Sequence, residues 1–350
     1  MELTTDSQEF LESERIEAVM RMARPNVTVI GVGGAGSNIV SWIKQRGIAG
    51  GKLLAANTDA AHLTITKADR RILIGEKSTH GQGAGGYPER GARAAVESLE
   101  EIKKEIGGSN IVFICAGLGG GTGTGASQVF AKELAHPGRL TIGVVTLPFS
   151  VERFRYENAK EGLKKLREYC DTVVAIDNTK LAKVAGDLPL QQALGVANEL
   201  VGQFVKGITE TITTASLINI DYADLRAIME RKGLAAIGVG ESQGPDRVES
   251  AVRTAIEGQL LDIKDVTKAR GVLVHVSGGS DITLEEVTRA GELVTKSLPP
   301  YVRIVWGARV EPQMSGHARV MVVLTGVEST FLSQQSYRLS LGPLKVGPHS

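Results

Sequence analysis

The sequence predicts an α/β protein: a doubly wound, mainly parallel sheet, then a long central helix, then a second, smaller α+β domain. Three observations predict it. Short β-rich runs alternate with amphipathic helices from Asn26 to about Asn178, as parallel strands buried on both faces require. Leu190, Leu194, Ala197, Val201, Phe204, Ile208 and Ile212 then recur at steps of three and four, the helical period. Beyond them, β-rich runs are interrupted by two helical ones. At 350 residues the chain also exceeds what one core usually serves. The expected organisation is an N-terminal helical extension at 1–24, a first domain at 25–186, the central helix at 187–213, the second domain at 214–330 and a tail at 331–350.

Each element has its own signal. Phe10, Leu11, Val19 and Met20 form one side of a short helix after an acidic start. The first-domain strands read "NVTVIGV", "KLLAANT", "RRILIG", "NIVFICAG", "LTIGVVTLP" and "DTVVAID", with helices over "ERGARAAVESLEEIKKEI" and "ENAKEGLKKLREYC". Asp187 ahead of Pro189 is the start signal of the central helix. In the second domain "LAAIGVGES", "GVLVHVSGG", "YVRIVWGARV" and "ARVMVVLTGV" read as strands. One helix covers "DRVESAVRTAIEGQLL" and another opens on a capping box, Thr283 to Glu286. The ending "LGPLKVGPHS" lacks periodicity and reads as a mobile tail.

Composition excludes several function classes. A formal net charge of +1 without a basic block argues against nucleic-acid binding through a broad electrostatic footprint. Two cysteines, Cys115 and Cys170, rule out a disulfide framework. The histidines are scattered without metal-ligand spacing, so His80 and His275 read as structural or surface residues. The N-terminus lacks an apolar signal-peptide core, and no apolar run approaches the ~20 residues that span a bilayer. The expectation is a cytoplasmic protein with no direct membrane insertion.

The chemistry lies in glycine-rich stretches between strands and helices. "GVGGAGSN" (Gly31 to Asn38), "GQGAGGYPERG" from Gly81 and "GGGTGTG" (Gly119 to Gly125) each lead towards a helix. Bare backbone N–H groups and helix N-termini converging at strand ends bind anions, phosphates above all, and Thr122 and Thr124 add hydroxyls. Gly31, Gly33 and Gly36 fit the dinucleotide spacing, so a nicotinamide oxidoreductase must be weighed. That fingerprint wants an acidic residue closing the second strand, and here Asn57 and Thr58 precede Asp59. G-x-x-x-x-G-K-[ST] is absent as well, so the loops suggest a nucleoside triphosphate held by backbone.

"GGGTGTG" resembles the signature of the tubulin/FtsZ superfamily. "GVGGAGSN", "NTDA", "GAGGYPERG", "VTLPF" and "NIDYADLRAIM" are similar, in order, to the FtsZ family of division GTPases over about residues 26–328. The resemblance implies a GTP-binding first domain and a second domain of four strands with helices. It also implies GTP/GDP as ligand, with Mg²⁺ held mainly by the nucleotide. Carried over by position, Gly34, Ala35, Gly36, Ser37 and Asn38 wrap the diphosphate, while Gly33, Asn57 and Thr58 belong to the same pocket. Ala84 and Gly85 meet the γ-phosphate, and Gly121, Thr122 and Gly123 the phosphate chain, with Gly119, Gly120, Thr124 and Gly125 counted in the same binding site. Glu152 and Arg155 match the ribose and phosphate contacts, one position short of the usual family interval. Asn178 and Asn198 match the guanine contacts. Leu194 stands where the family commonly stacks a phenylalanine, so weaker base stacking is expected.

"NIDYADLRAIMERKG" reads locally as a helix capped by Asp221 and ended by Gly233. The resemblance places Asn219, Asp221 and Asp224 on the catalytic loop. If Asn198 touches the base, the helix runs on roughly 22 Å at ~1.5 Å per residue, leaving the aspartates far from their own subunit's nucleotide. A neighbour stacked head to tail would complete the site, and such a heterologous contact grows into a filament. The implied protein is a self-polymerising GTPase of the cytokinetic ring, recruited to the division site by a membrane adaptor protein. The alternative is a slowly hydrolysing cell-shape filament of the same superfamily.

Overall fold

The computed structural model describes residues 25–186, 189–214, 218, 220–258, 260, 263, 265–296 and 298–333. The expected N-terminal extension, the start signal Asp187, Asn219 and all but the first three residues of the tail lie outside them.

The first half alternates as its pattern requires. Its strands are β1 (Val27–Val32), β2 (Gly51–Asn57), β3 (Arg70–Leu73), β4 (Ile111–Gly117), β5 (Leu140–Leu147) and β6 (Thr172–Asp177). Between them run α1 (Gly33–Arg46), α2 (Ala60–Ile65), α3 (Glu76–Thr79), α4 (Pro88–Glu97), α5 (Leu99–Ile106), α6 (Gly121–Leu134) and α7 (Arg153–Tyr169). After β6 come α8 (Asn178–Ala185), the central helix α9 (Leu190–Thr213) and α10 (Tyr222–Met229). The second half holds β7 (Gly233–Gln243), α11 (Arg247–Glu257), β8 (Gly271–Gly278), α12 (Leu284–Thr295), β9 (Arg303–Val310), β10 (His317–Val327) and α13 (Thr330–Ser333).

The ten strands form one sheet in the order β3-β2-β1-β4-β5-β6-β7-β10-β8-β9. The first six are mutually parallel, and every residue of β1 and β5 is buried, which is why those runs carry no polar alternation. The second domain's four strands add to the same sheet: β7 pairs parallel with β6, and β10 runs antiparallel to both β7 and β8. Hydrophobic clusters lie on both faces. One includes Phe130, Leu163 and Val252, and the other includes Ile39, Phe113, Val201 and Phe204. The α9 positions Ala197, Val201, Phe204 and Ile208 are buried, and the Phe204 ring meets Phe113 edge-on with centroids 6.2 Å apart.

Two local expectations are corrected. The single helix over 89–106 is two, because Ser98 leaves helical geometry at φ −105°, ψ 12°. Its hydroxyl accepts the Gly75 N–H at 3.1 Å, tying the break to the start of α3. Helix α10 ends at Met229, and Gly233 at φ +78° instead opens β7.

The lower end of α9 is fixed by charge. Glu210 is 4% exposed, accepts the Ala49 N–H at 3.1 Å, and pairs with Arg309 of β9 at 2.6 Å and with Lys206 at 2.5 Å. One carboxylate thus holds the α1–β2 connection, the central helix and the second domain together. Beside it His275 is buried with Nε2 2.8 Å from the Thr211 hydroxyl. Burial first, then Arg309 and Arg319, push its pKa down from 6.5 to about 4. Between these values the unfolded chain binds the additional proton, so folding stability falls as pH drops from 6.5 towards 4. Denaturant titrations from pH 7 to 4 should show this slope, worth about 3 kcal/mol at most, and His275→Gln should flatten it.

Candidate functional site

The parallel strands β1, β4, β5 and β6 deliver their carboxyl ends to one cleft of about 290 Å³. At the end of β1 the chain turns at Gly33, φ +70°, and enters α1 at once. At the end of β4 it turns at Gly119, φ +103°, and enters α6 at Gly121. Much of each glycine-rich stretch is therefore helix, and "GGGTGTG" is a short turn followed by a helical first turn. The first N–H groups of a helix lack internal partners and carry its positive end. Here two such ends share one cleft, through Gly34 and Ala35 of α1 and Gly120 to Gly123 beside and within α6.

The glycines divide by use. A Cβ at Gly120 would meet nothing within 4 Å, and one at Gly34 only His62 at 4.0 Å, so both leave space for a ligand. A Cβ at Gly36 would lie 2.3 Å from the Cys115 carbonyl oxygen, and one at Gly121 2.8 Å from the Ala84 methyl. At Gly123 it would lie 2.3 Å from the Gly117 carbonyl oxygen, and at Gly125 1.9 Å from that of Pro88. Gly36 and Gly125 are there for close backbone packing, while Gly121 and Gly123 pack and also line the cleft. Hydroxyls divide in the same way. Thr124 is buried and accepts the Gly119 N–H at 2.8 Å, and the Thr58 and Thr122 hydroxyls are hydrogen-bonded at 2.6 Å. Asn57 Oδ1 accepts the Asp59 N–H, holding the turn after β2.

The cleft's other wall comes from 148–155 and from α8. Glu152 Oε2 accepts from Arg155 Nη1 at 2.8 Å, and Glu152 Oε1 accepts the Phe149 N–H at 3.1 Å. Asn178 lines the cleft with Oδ1 buried and without a protein hydrogen-bond partner. A buried acceptor of this kind needs a donor. Ser37 Oγ is likewise buried and unpartnered. Asn38 and Gly85 are exposed, and Asn198 is half-buried on α9. The side chain of Leu194 lies outside the described residues. Val32, Gly117, Leu118, Thr146 and Pro148 also line the cleft, and the signal for Thr146 was its place at the end of a parallel strand.

The aspartates stand elsewhere. Asp221 caps α10, accepting the Ala223 N–H at 3.1 Å, and Asp224 lies in its first turn. Tyr222, between them, donates its hydroxyl to the carbonyls of Asn110 and Gly138, each at 3.2 Å. Asn110 precedes β4 and Gly138 lies just ahead of β5, so the acidic pair is at the amino ends of strands whose carboxyl ends form the cleft. Seven residues of β4, about 20 Å of strand, separate the two regions. Sequence reasoning missed Arg303, the first residue of β9, whose Nη2 donates to Asp224 Oδ1 at 2.8 Å. No local signal announces it, because 79 residues separate the two.

Burial holds the thiols of Cys115 and Cys170 up at about 12, so neither serves as a nucleophile. Among the described residues, no group of three or more His, Cys, Asp or Glu side chains is arranged to hold a metal ion. No helix there is long and apolar enough to cross a membrane.

Residues 26–186 match the GTPase domain of the tubulin/FtsZ family, and residues 233–328 match the FtsZ family C-terminal domain. The chain is 45% identical over 328 residues to cell division protein FtsZ 2 of Methanocaldococcus jannaschii, covering 93% of this chain and 84% of that one. It is 47% identical over 317 residues to FtsZ 1 of Archaeoglobus fulgidus, covering 90% and 86%. Among solved structures, an empty FtsZ dimer from M. jannaschii matches with TM-score 0.85 at 46% identity, covering 90% of this chain and 92% of that one. A GTPγS-bound protofilament of CetZ2 from Haloferax volcanii shares the fold, with TM-score 0.74 at 24% identity over 88% and 96%.

Proposed function

The chain belongs to the tubulin/FtsZ family, in its FtsZ branch, and from that premise we propose a division GTPase whose active site is completed by the next subunit in a head-to-tail filament. It binds GTP and GDP, hydrolyses GTP and assembles with itself in cell division; the nicotinamide reading is set aside. The observation that carries the shared site is the position of Asp221 and Asp224 at the amino ends of β4 and β5, opposite the cleft.

In this reading the N–H groups at the starts of α1 and α6 hold the phosphates. Asn178 Oδ1 accepts a hydrogen bond from the N–H edge of guanine, while Arg155 exchanges Glu152 for a phosphate oxygen. The residues fit a triphosphate, since Gly120 leaves open space where a side chain would stand. The neighbour's Asp221 and Asp224, with Asn219, orient the water that attacks the γ-phosphorus as its bond to the bridging oxygen breaks. Mg²⁺, when bound, would be held mainly by the nucleotide rather than by this chain's side chains, and would supply positive charge to offset that of the leaving diphosphate. Loss of the γ-phosphate then loosens the junction. Attachment at the division site is assigned to a separate membrane adaptor protein.

Light scattering tests the reading. GTP should raise the signal of the purified protein, while GDP and NAD should not. Asp224→Ala should assemble with GTP and disassemble more slowly. GTP turnover per subunit that stays constant on dilution below the assembly threshold would contradict the shared site.

A further inference from the structure

We propose that Arg303 is a positioning residue for GTP hydrolysis, holding the Asp224 carboxylate towards the neighbouring subunit's nucleotide. The inference rests on the reading that the acidic pair acts across the subunit junction.

Asp221 and Asp224 sit three residues apart at the start of α10, two like charges on one turn. The helix end stabilises both, and Asp221 spends one oxygen on the cap. Nothing in that local arrangement fixes where the Asp224 carboxylate points. Arg226 stands two residues beyond Asp224 on the same helix, and Arg303 approaches from β9. Arg226 is committed to Glu230, donating from Nε at 3.0 Å and Nη2 at 2.9 Å. Among the described residues, Arg303 is the cation paired with Asp224, at 2.8 Å.

The pair joins independent elements. Arg303 opens β9, and β9 is bound to the segment before α10 by reciprocal backbone bonds between Ile218 and Ala308, both 3.2 Å. Gly307 of β9 packs against Ile220, where a Cβ would meet the isoleucine side chain at 2.8 Å. Strand and loop therefore keep a fixed spacing, and the guanidinium reaches Asp224 from a rigid base. The two side chains are 57% and 48% exposed, so the pair is worth little to folding. Its place on the surface that meets the neighbour's triphosphate gives it another use. A guanidinium there offsets part of the repulsion between two carboxylates and the incoming phosphates, and its hydrogen bond to Oδ1 favours one orientation of the carboxylate.

The test measures GTP turnover per assembled subunit, well above the assembly threshold, together with that threshold and the thermal midpoint, on the full chain. Arg303→Ala should lower turnover per assembled subunit about threefold to fivefold, the weight of one exposed ion pair, and leave the midpoint unchanged. Arg303→Lys should recover part of the turnover, because the charge returns on a side chain without the planar guanidinium. Turnover per assembled subunit equal to the parent's in Arg303→Ala, whatever the threshold does, overturns the inference. Asp224→Asn run alongside separates the two layers: full turnover in that variant would sink the shared-site reading itself.

Discussion

Mixing two inactive variants should restore GTP hydrolysis. Asp224→Asn keeps its own cleft but presents a defective acidic end, and removing a group that orients the attacking water costs about 100-fold or more. Gly120→Asp keeps the acidic end and places a carboxylate in its own phosphate cleft. The backbone at Gly120, φ −85° and ψ 173°, accepts a side chain, and a Cβ there meets nothing within 4 Å, so the fold should tolerate the change. Each protein alone should hydrolyse GTP at a small fraction of the parent rate. In a mixture, GTP in the cleft of the first variant meets the intact aspartates of the second, and turnover should rise well above the sum of the two alone. Were both groups to act within one chain, each variant would carry a broken site and mixing would recover nothing.

The second large effect is on stability. Gly125→Ala should destabilise the fold by about 3 kcal/mol, despite the better helix propensity of alanine. The added methyl would stand 1.9 Å from the Pro88 carbonyl oxygen and 2.6 Å from the Ala92 nitrogen, backbone atoms of α4 that cannot rotate away. Helices α4 and α6 must part instead. In a chain of 350 residues the thermal midpoint should fall by roughly 4 °C, measured without nucleotide. Gly120→Ala is the control, since its methyl enters open space. It should leave the midpoint nearly unchanged and weaken nucleotide binding, because that space belongs to the ligand.

These two glycines show how far a sequence speaks. Both stand in "GGGTGTG", and both read there as backbone freedom for a phosphate. Which one faces a ligand and which one faces another helix depends on α4, whose Pro88 lies 37 residues upstream of Gly125. Ser98 gives the same lesson, since a helix-compatible run is broken by a bond to Gly75 that no local pattern contains.

The sequence by itself determined the elements, their order and the motifs at their ends. Those follow from side-chain periods and end signals that operate between near neighbours in the chain. Only the tertiary structure decided that the second domain's strands extend the first domain's sheet. Helix length already set the acidic pair roughly 22 Å beyond the base, but only the tertiary structure put it at the amino ends of β4 and β5, with Arg303 beside Asp224. Such placements arise from sheet order and helix crossings, which pack residues scores of positions apart into contact and so leave no periodic trace in the chain.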